Sequence, residues 1–438
     1  MTSTAGPDII KHKSNGARRA VLRRVTTGFL YFLHVFCGVT EMYTYEEIQD
    51  YVEQENIQFI RLMFSDITGK EKFVTIMPEE LERAFREGVS FDGSAVEGFD
   101  SGAKSDLFLR PDASTLALVP WHPIHGKMIR FYCNVCDDQG NVAAADTRAF
   151  LSRAIAAAAE AGLHCRFGTE FEFYIFKTDE NGNRTEVPFD SAGYMDIDPG
   201  DKCEALRREI CFTLRDMGIQ PESGHHEEGP GQNEIDFHPA DPLAAADNAM
   251  TFKSVVRTIA ARNGLYASFY PKPLPDQSGN GLHINLSVSG DDGRDVLYSF
   301  MAGIMEHIED ITVFLNPTEQ SYRRLGERKA PGYVSWAEQN RSQLIRVPAA
   351  SPERRRIELR SPDAGMNPYL GFALLIYAGL DGVTRHLEPI PPMQQNLYTA
   401  PAEVLAQLRH LPTTLTAAQA KARSSKWLAG LLPKELMV

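Results

Sequence analysis

A chain of 438 residues that is 43% hydrophobic and 24% charged has the composition of a folded globular protein with room for more than one core. Its formal net charge of -13 repels phosphate backbones and argues against nucleic acid as a partner. Six cysteines are too few for a disulfide framework at this length and fit a reducing cytoplasm.

No stretch reaches the roughly 18 to 20 apolar residues needed to span a bilayer, so no membrane partner is expected. Residues 1–41 stand apart. Lys11, Lys13, Arg18, Arg19, Arg23 and Arg24 precede an apolar run over 28–39, an order like that of a secretory signal, but no small-residue cleavage site follows. A clean helical pattern opens at Met42, so 1–41 is read as a non-core extension. From there the pattern predicts a helix over 44–55 and strands over 58–64 and 72–77, joined by the turn Asp66-Ile-Thr-Gly69. A short helix starts at Pro78 and ends at Gly88, with proline and glycine at the positions that favour them. Strand-like runs at 115–119 and 128–135 complete a small mixed domain over 42–140.

The turn cluster Asp138-Gln-Gly-Asn141 marks a boundary, and Asp146 caps an alanine-rich helix over 147–161. The second domain, 141–438, alternates helices and strands. A helix over 201–217 stops at Gly218, and one over 242–263 has Asp241 as N-cap, Pro242 at its first position and Gly264 beyond its end. Alternating patterns predict strands around 167–176, 232–238, 282–289, 343–348 and 355–361. The fold class is therefore α+β, with the second domain built on one antiparallel sheet flanked by helices.

The same alternation carries the chemistry. In Thr169-Glu-Phe-Glu-Phe-Tyr-Ile-Phe176 it places Glu170 and Glu172 on one face and Phe171 and Phe173 on the other. Glu227 and Glu234 flank a Gly-Pro-Gly turn, where glycines let backbone approach a ligand. Arg356, Glu358 and Arg360 share a strand face, and His283 follows the loop Gly279-Asn-Gly281. Further guanidinium groups come from Arg324, Arg341 and Arg346. Five carboxylates and one histidine form a hard, oxygen-rich set suited to two Mg²⁺ or Mn²⁺ ions rather than structural zinc. Such ions serve phosphoryl transfer. Cys133-Asn-Val-Cys136 lies in an apolar strand pattern and reads as buried thiols, and no Walker-type phosphate loop is present.

Taken together, these segments resemble type I glutamine synthetase over almost everything after Met42. Phe91-Asp-Gly-Ser94, Glu170-Phe-Glu172, His225-His-Glu227, Gly231-Gln-Asn-Glu234, Gly279-Asn-Gly-Leu-His283, Asn340-Arg-Ser342, Arg356-Ile-Glu-Leu-Arg360 and Asn367-Pro-Tyr-Leu370 follow in family order. The resemblance implies a β-grasp domain followed by a catalytic domain, with active sites between subunits of a dodecamer. It implies ATP-dependent joining of ammonia to glutamate through γ-glutamyl phosphate. Glu172, Glu227 and Glu234 would hold one metal, and Glu170, His283 and Glu358 the other. Gly279, Arg324 and Arg360 would grip glutamate, with Glu172 and Tyr194 also beside the substrates. Glu222, Ser287, Arg341, Arg346 and Arg356 would line the ATP site. Asp92 of a neighbouring subunit would help deprotonate ammonium, and Tyr398 resembles a tyrosine that some members adenylylate.

Four departures cluster near the amine and the glutamate. The mobile flap of the family carries a glutamate just before Ala-Pro, whereas here Lys329 precedes Ala330-Pro331 in a loop one residue shorter. Glu327 is the nearest carboxylate that could substitute. Ala95, Ser278 and Asn285 replace a serine, an asparagine and a histidine of the family pattern. A lysine where ammonium would bind leaves two alternatives to glutamine synthesis: a γ-glutamyl-amine ligase using another small organic amine, or a catalytically weak regulatory homologue.

Overall fold

The computed structural model describes residues 43–99, 105–121, 126–197, 199–327 and 329–437, and the expected extension at 1–41 lies outside them. The first unit holds helix α1 (Tyr45–Gln54), strands β1 (Ile57–Ser65) and β2 (Glu71–Ile76), helix α2 (Leu81–Arg86), and strands β3 (Val89–Asp92), β4 (Asp106–Pro111), β5 (Ala117–Val119) and β6 (Lys127–Cys136). Thr44 starts α1 with a reciprocal capping box to Glu47, which satisfies two orphan N–H donors at once. The strands join in the order β2-β1-β6-β4-β3, with β5 also on β6. The central pair, β1 and β6, is parallel. One face buries Ile60, Leu62, Leu109 and Phe131 with Ile48 and Val52 of α1. From the other face Met63 and Tyr132 join the larger core of the second unit.

That second unit runs α3 (Thr147–Glu160), β7 (Leu163–Thr178), β8 (Arg184–Pro188), α4 (Glu204–Asp216), β9 (Pro221–His226), β10 (Gln232–Phe237), α5 (Pro242–Arg262), β11 (Leu265–Ser268) and β12 (Leu282–Gly290). It continues with α6 (Leu297–Leu315), α7 (Glu319–Arg324), β13 (Trp336–Glu338), β14 (Ile345–Val347), β15 (Ile357–Leu359), α8 (Pro368–Thr384), α9 (Ala402–Leu405), α10 (Leu415–Ser424) and α11 (Lys426–Leu431). Nine strands form one sheet, β13-β14-β15-β12-β7-β10-β9, with β8 and β11 both on β7. The expectation of a purely antiparallel sheet is corrected at one edge, where β13 pairs with β14 in parallel. Asp241 stands at the N-cap of α5 in an extended conformation but makes no side-chain cap bond; Pro242 at the first position already removes one donor needing a partner.

Two long helices cross at glycines. A Cβ at Gly303 of α6 would lie 2.1 Å from the carbonyl of Ala378, and one at Gly382 of α8 would lie 2.2 Å from that of Ser299. Only glycine allows this backbone contact, which seats both helices on the sheet. Cys133 and Cys136 are buried in β6, as the sequence suggests. Among the described residues, no helix is long and apolar enough to cross a membrane.

The two units are tied by a buried polar joint. Arg148 of α3 donates to both carboxylate oxygens of Asp247 in α5 at 3.0 Å, and to Asp112 beyond β4 at 2.8 Å. Tyr369 of α8 donates to the same Asp247 at 2.7 Å. Arg148→Ala leaves the Asp247 carboxylate buried without its cation, and is expected to cost about 3–5 kcal/mol. Urea unfolding followed by tryptophan fluorescence measures it; a loss under about 1 kcal/mol would assign the joint no structural weight.

Candidate active site

β7 lies between β10 and β12, and its register fixes the site. Glu172 stands opposite Glu234 of β10, Glu170 opposite His283 of β12, and Asn285 of β12 opposite Glu358 of β15. All project from one face, while Phe171 and Phe173 are fully buried on the other. Ligand atoms of Glu170, His283 and Glu358 lie within 4.8 Å of one another. The same holds for Glu172, Glu234 and His283, and for His225, Glu227 and Glu234. Glu234 thus links the Glu172 and Glu227 sides of the site.

Each ligand is held by a neighbour. Gly281 donates its N–H to Glu172 at 2.6 Å, and Asn285 donates to Glu170 at 2.7 Å. His283 Nδ1 lies 3.1 Å from Glu170. Glu227 accepts the N–H of Glu228 at 2.9 Å and sits 3.3 Å from His225 Nε2. Glu358, wholly buried, accepts from Arg360 at 2.8 Å and from Arg346. The histidine and amide hydrogen bonds overcome burial to hold the Glu170 carboxyl down at about 2.

Glu234 is the opposite case. Burial, then the charges of Glu172, Asp236, Glu170 and Glu227, push its carboxyl well above the usual carboxylate range. Burial and the charge of Glu170 likewise raise Asp236 to about 6. The donor set therefore carries more negative charge than its protein neighbours neutralise, and hard divalent cations fit that deficit.

Around this acidic floor stand the guanidinium groups. Buried Arg324 donates to the carbonyls of Ser361 and Arg360 at 2.8 and 3.1 Å. Arg356 donates to Asn285 at 2.8 Å, which keeps it beside the Glu170 ligand. Arg360 Nε is buried with no hydrogen-bond partner among the described residues, an unsatisfied donor beside an acidic site. Gly279 and Gly281 are required by crowding: a Cβ at Gly279 would lie 2.5 Å from the Pro271 carbonyl, and one at Gly281 2.8 Å from His283 Nε2. Ser287 lies two residues beyond Asn285 on β12.

A cleft lined by Glu172, Glu227, Gln232, Ser278, Gly279, His283, Arg324, Lys329 and Ala330 opens onto the acidic floor. Lys329 pairs with Glu228, and their side chains are 55% and 37% exposed, so the pair is worth only about 0–1 kcal/mol. Tyr194 packs edge-on to His225, ring centroids 5.3 Å apart. Glu327 is exposed and lies outside this lining. Arg341 and Glu222 are exposed, and Asp92 caps the exposed turn at Ser94 in the first unit and is not among the residues lining its own chain's cleft. Tyr398 donates to the Arg341 carbonyl at 3.3 Å.

Sequence reading missed Asp236, Glu228 and Gln232. Asp236 could have been found by extending the period-two rule from Glu234. Glu228 pairs with a residue 101 positions away, a contact without local signature.

A mixed α+β unit joined to a sheet that gathers acidic residues beside arginines gives the fold and donor set of an enzyme suited to hard divalent cations and anionic groups. The chain belongs to the glutamine synthetase family of carbon–nitrogen ligases: residues 56–138 match its β-grasp domain and 144–438 its catalytic domain. It is 43% identical to a glutamine synthetase of Clostridium saccharobutylicum over 81% of this chain and 83% of that protein. It is 40% identical to one from Methanosarcina mazei over 88% and 90%. Among solved structures, "GmaS/ADP complex-Conformation 1" superposes with a TM-score of 0.80 at 27% identity, covering 91% of this chain and 93% of that one.

Gly281→Ala places a methyl group 2.7 Å from Arg324 Nη2, so ATP-dependent turnover should fall at least about tenfold. Gly430→Ala, with nothing within 4 Å, serves as the control. Equal turnover in both variants would show that the Gly281 contact is not needed.

Proposed function

We propose that this protein joins ammonia to the γ-carboxylate of L-glutamate at the expense of ATP, through γ-glutamyl phosphate, giving glutamine, ADP and phosphate. The single observation that carries this reading is the line of Glu234, Glu172, Glu170, His283 and Glu358 across four adjacent strands, completed by Glu227. Glu172, Glu227 and Glu234 would hold one Mg²⁺ or Mn²⁺, and Glu170, His283 and Glu358 the other. Bound there, the cations neutralise phosphate charge and polarise the transferring phosphoryl group.

The remaining roles belong to the chain's own residues. A carboxylate resists attack by an amine, so its oxygen must first accept the γ-phosphoryl group of ATP. The product is a mixed anhydride whose phosphate leaves when the amine nitrogen attacks. Arg360, whose buried Nε has no hydrogen-bond partner among the described residues, and Arg324 would bind glutamate's carboxylate against Gly279. Arg346 and Arg356, anchored to Glu358 and Asn285, would meet the triphosphate with Arg341, Ser287 and Glu222 further along the same path. Holding both reactants against fixed donors converts a bimolecular encounter into a local step. Asp92, exposed and outside the lining of its own chain's cleft, would act on the site of an adjacent subunit. Glu327 and Tyr194 would complete the amine side, in a cytoplasmic dodecamer.

A second reading, ligation of a small organic amine, is favoured by Lys329 in the cleft lining. A lysine cation repels ammonium by roughly 1–4 kcal/mol at about 4 Å in a wet or half-wet site. Purified protein given ATP, Mg²⁺ and glutamate, with ammonium, methylamine, ethanolamine or putrescine, separates the two by product mass. Glutamine formation with ammonium is the expected outcome, and phosphate release only with an organic amine would replace it by the second reading.

A further inference from the structure

Two positions at which this chain departs from the resemblance, Ser278 and Lys329, meet on one carboxylate. Ser278 donates its hydroxyl to Glu228 at 3.2 Å, and the Lys329 ammonium pairs with the other oxygen of Glu228. The same ammonium lies 5.7 Å from the centroid of the Tyr194 ring, within the range of a cation–π contact. Tyr174 anchors this wall by donating to the Ser278 carbonyl at 2.7 Å, and Gln232 does so by donating to that of Gly279 at 3.1 Å. Glu228 donates its N–H to the Glu227 carboxylate, and both partners of its own carboxylate, Ser278 and Lys329, line the cleft.

We propose that Glu228 receives the cationic amine substrate, that Lys329 competes for the same carboxylate, and that the site accepts short primary alkylammonium ions as well as ammonium. The inference rests on the ligase reading above and names its amine subsite. A lysine head is a methylene carrying NH₃⁺, the group that a primary alkylammonium presents. A place that holds it between a carboxylate and an aromatic face has the polarity and shape for such a cation. The ion pair is exposed on both sides and therefore weak, so an incoming amine displaces Lys329 at small cost. The Ser278 hydroxyl keeps Glu228 oriented while the exchange occurs.

Calorimetric titration of methylammonium into the full-length protein carrying Mg²⁺, ADP and glutamate tests this, with Lys329→Gln, Glu228→Gln and the double variant compared with the parent. Lys329→Gln should tighten methylammonium binding about fivefold, and Glu228→Gln should weaken it about fivefold. In the double variant the gain from Lys329→Gln should vanish, because the two side chains compete through one contact. In turnover, KM for the amine should move in the same directions while KM for ATP and for glutamate stays put; a merely structural role would move all three. Unchanged or weaker binding in Lys329→Gln, or no binding by the parent, overturns the proposal. Binding that follows the expected pattern without product formation supports the subsite and sinks the ligase reading instead.

Discussion

The pairing of β7 with β10 on one side and β12 on the other governs everything else in the site. Because side chains alternate along a strand, a slip of one residue would send Glu170 and Glu172 into the core and bring Phe171 and Phe173 to the cleft. The register is locked from beneath. Phe171 packs on Phe252 of α5 with ring centroids 4.8 Å apart, and Phe173 packs on Phe269 at 5.6 Å. The aromatic core under the sheet therefore aligns the carboxylates above it, and the helices that cover that core serve the site through the strands.

The site stores electrostatic conflict on one side and relieves it on the other. Glu358 is matched by two arginines and Glu170 by a histidine and an amide, so this half is oriented in the folded chain. Glu234 faces other carboxylates, so the opposite half gains most from a cation. Divalent cations bound there would convert mutual repulsion into attraction, which makes cation binding and site order a single event. The arginines in β14 and flanking β15 would then meet anionic substrates over a floor that no longer repels them.

Much of this was legible in the sequence because it obeys local periodicity. The alternation in Thr169–Phe176 and Arg354–Ser361 identifies facing residues from spacing alone, and the Asp146 cap holds, donated to by Ala149 N–H at 3.0 Å. Two short strands were not legible: β3, at the sheet edge, and β4 beside it carry polar residues such as Ser90, Asp92 and Asp106, which read as loop. Helices α6 and α8 are buried on nearly all sides and so lack the amphipathic stripe by which a surface helix is recognised. The parallel β13–β14 pair and the Glu228–Lys329 contact depend on chain paths that no short window contains. Likeness to known glutamine synthetases establishes the family.

Central to this account is the proposal that one sheet face holds two divalent cations. Equilibrium dialysis with Mn²⁺, read by electron paramagnetic resonance, counts them. Two ions per chain are expected for the parent protein and one for Glu234→Gln, in which the Glu170, His283 and Glu358 group is left intact. Fewer than two in the folded parent, or an unchanged count in Glu234→Gln, would contradict it.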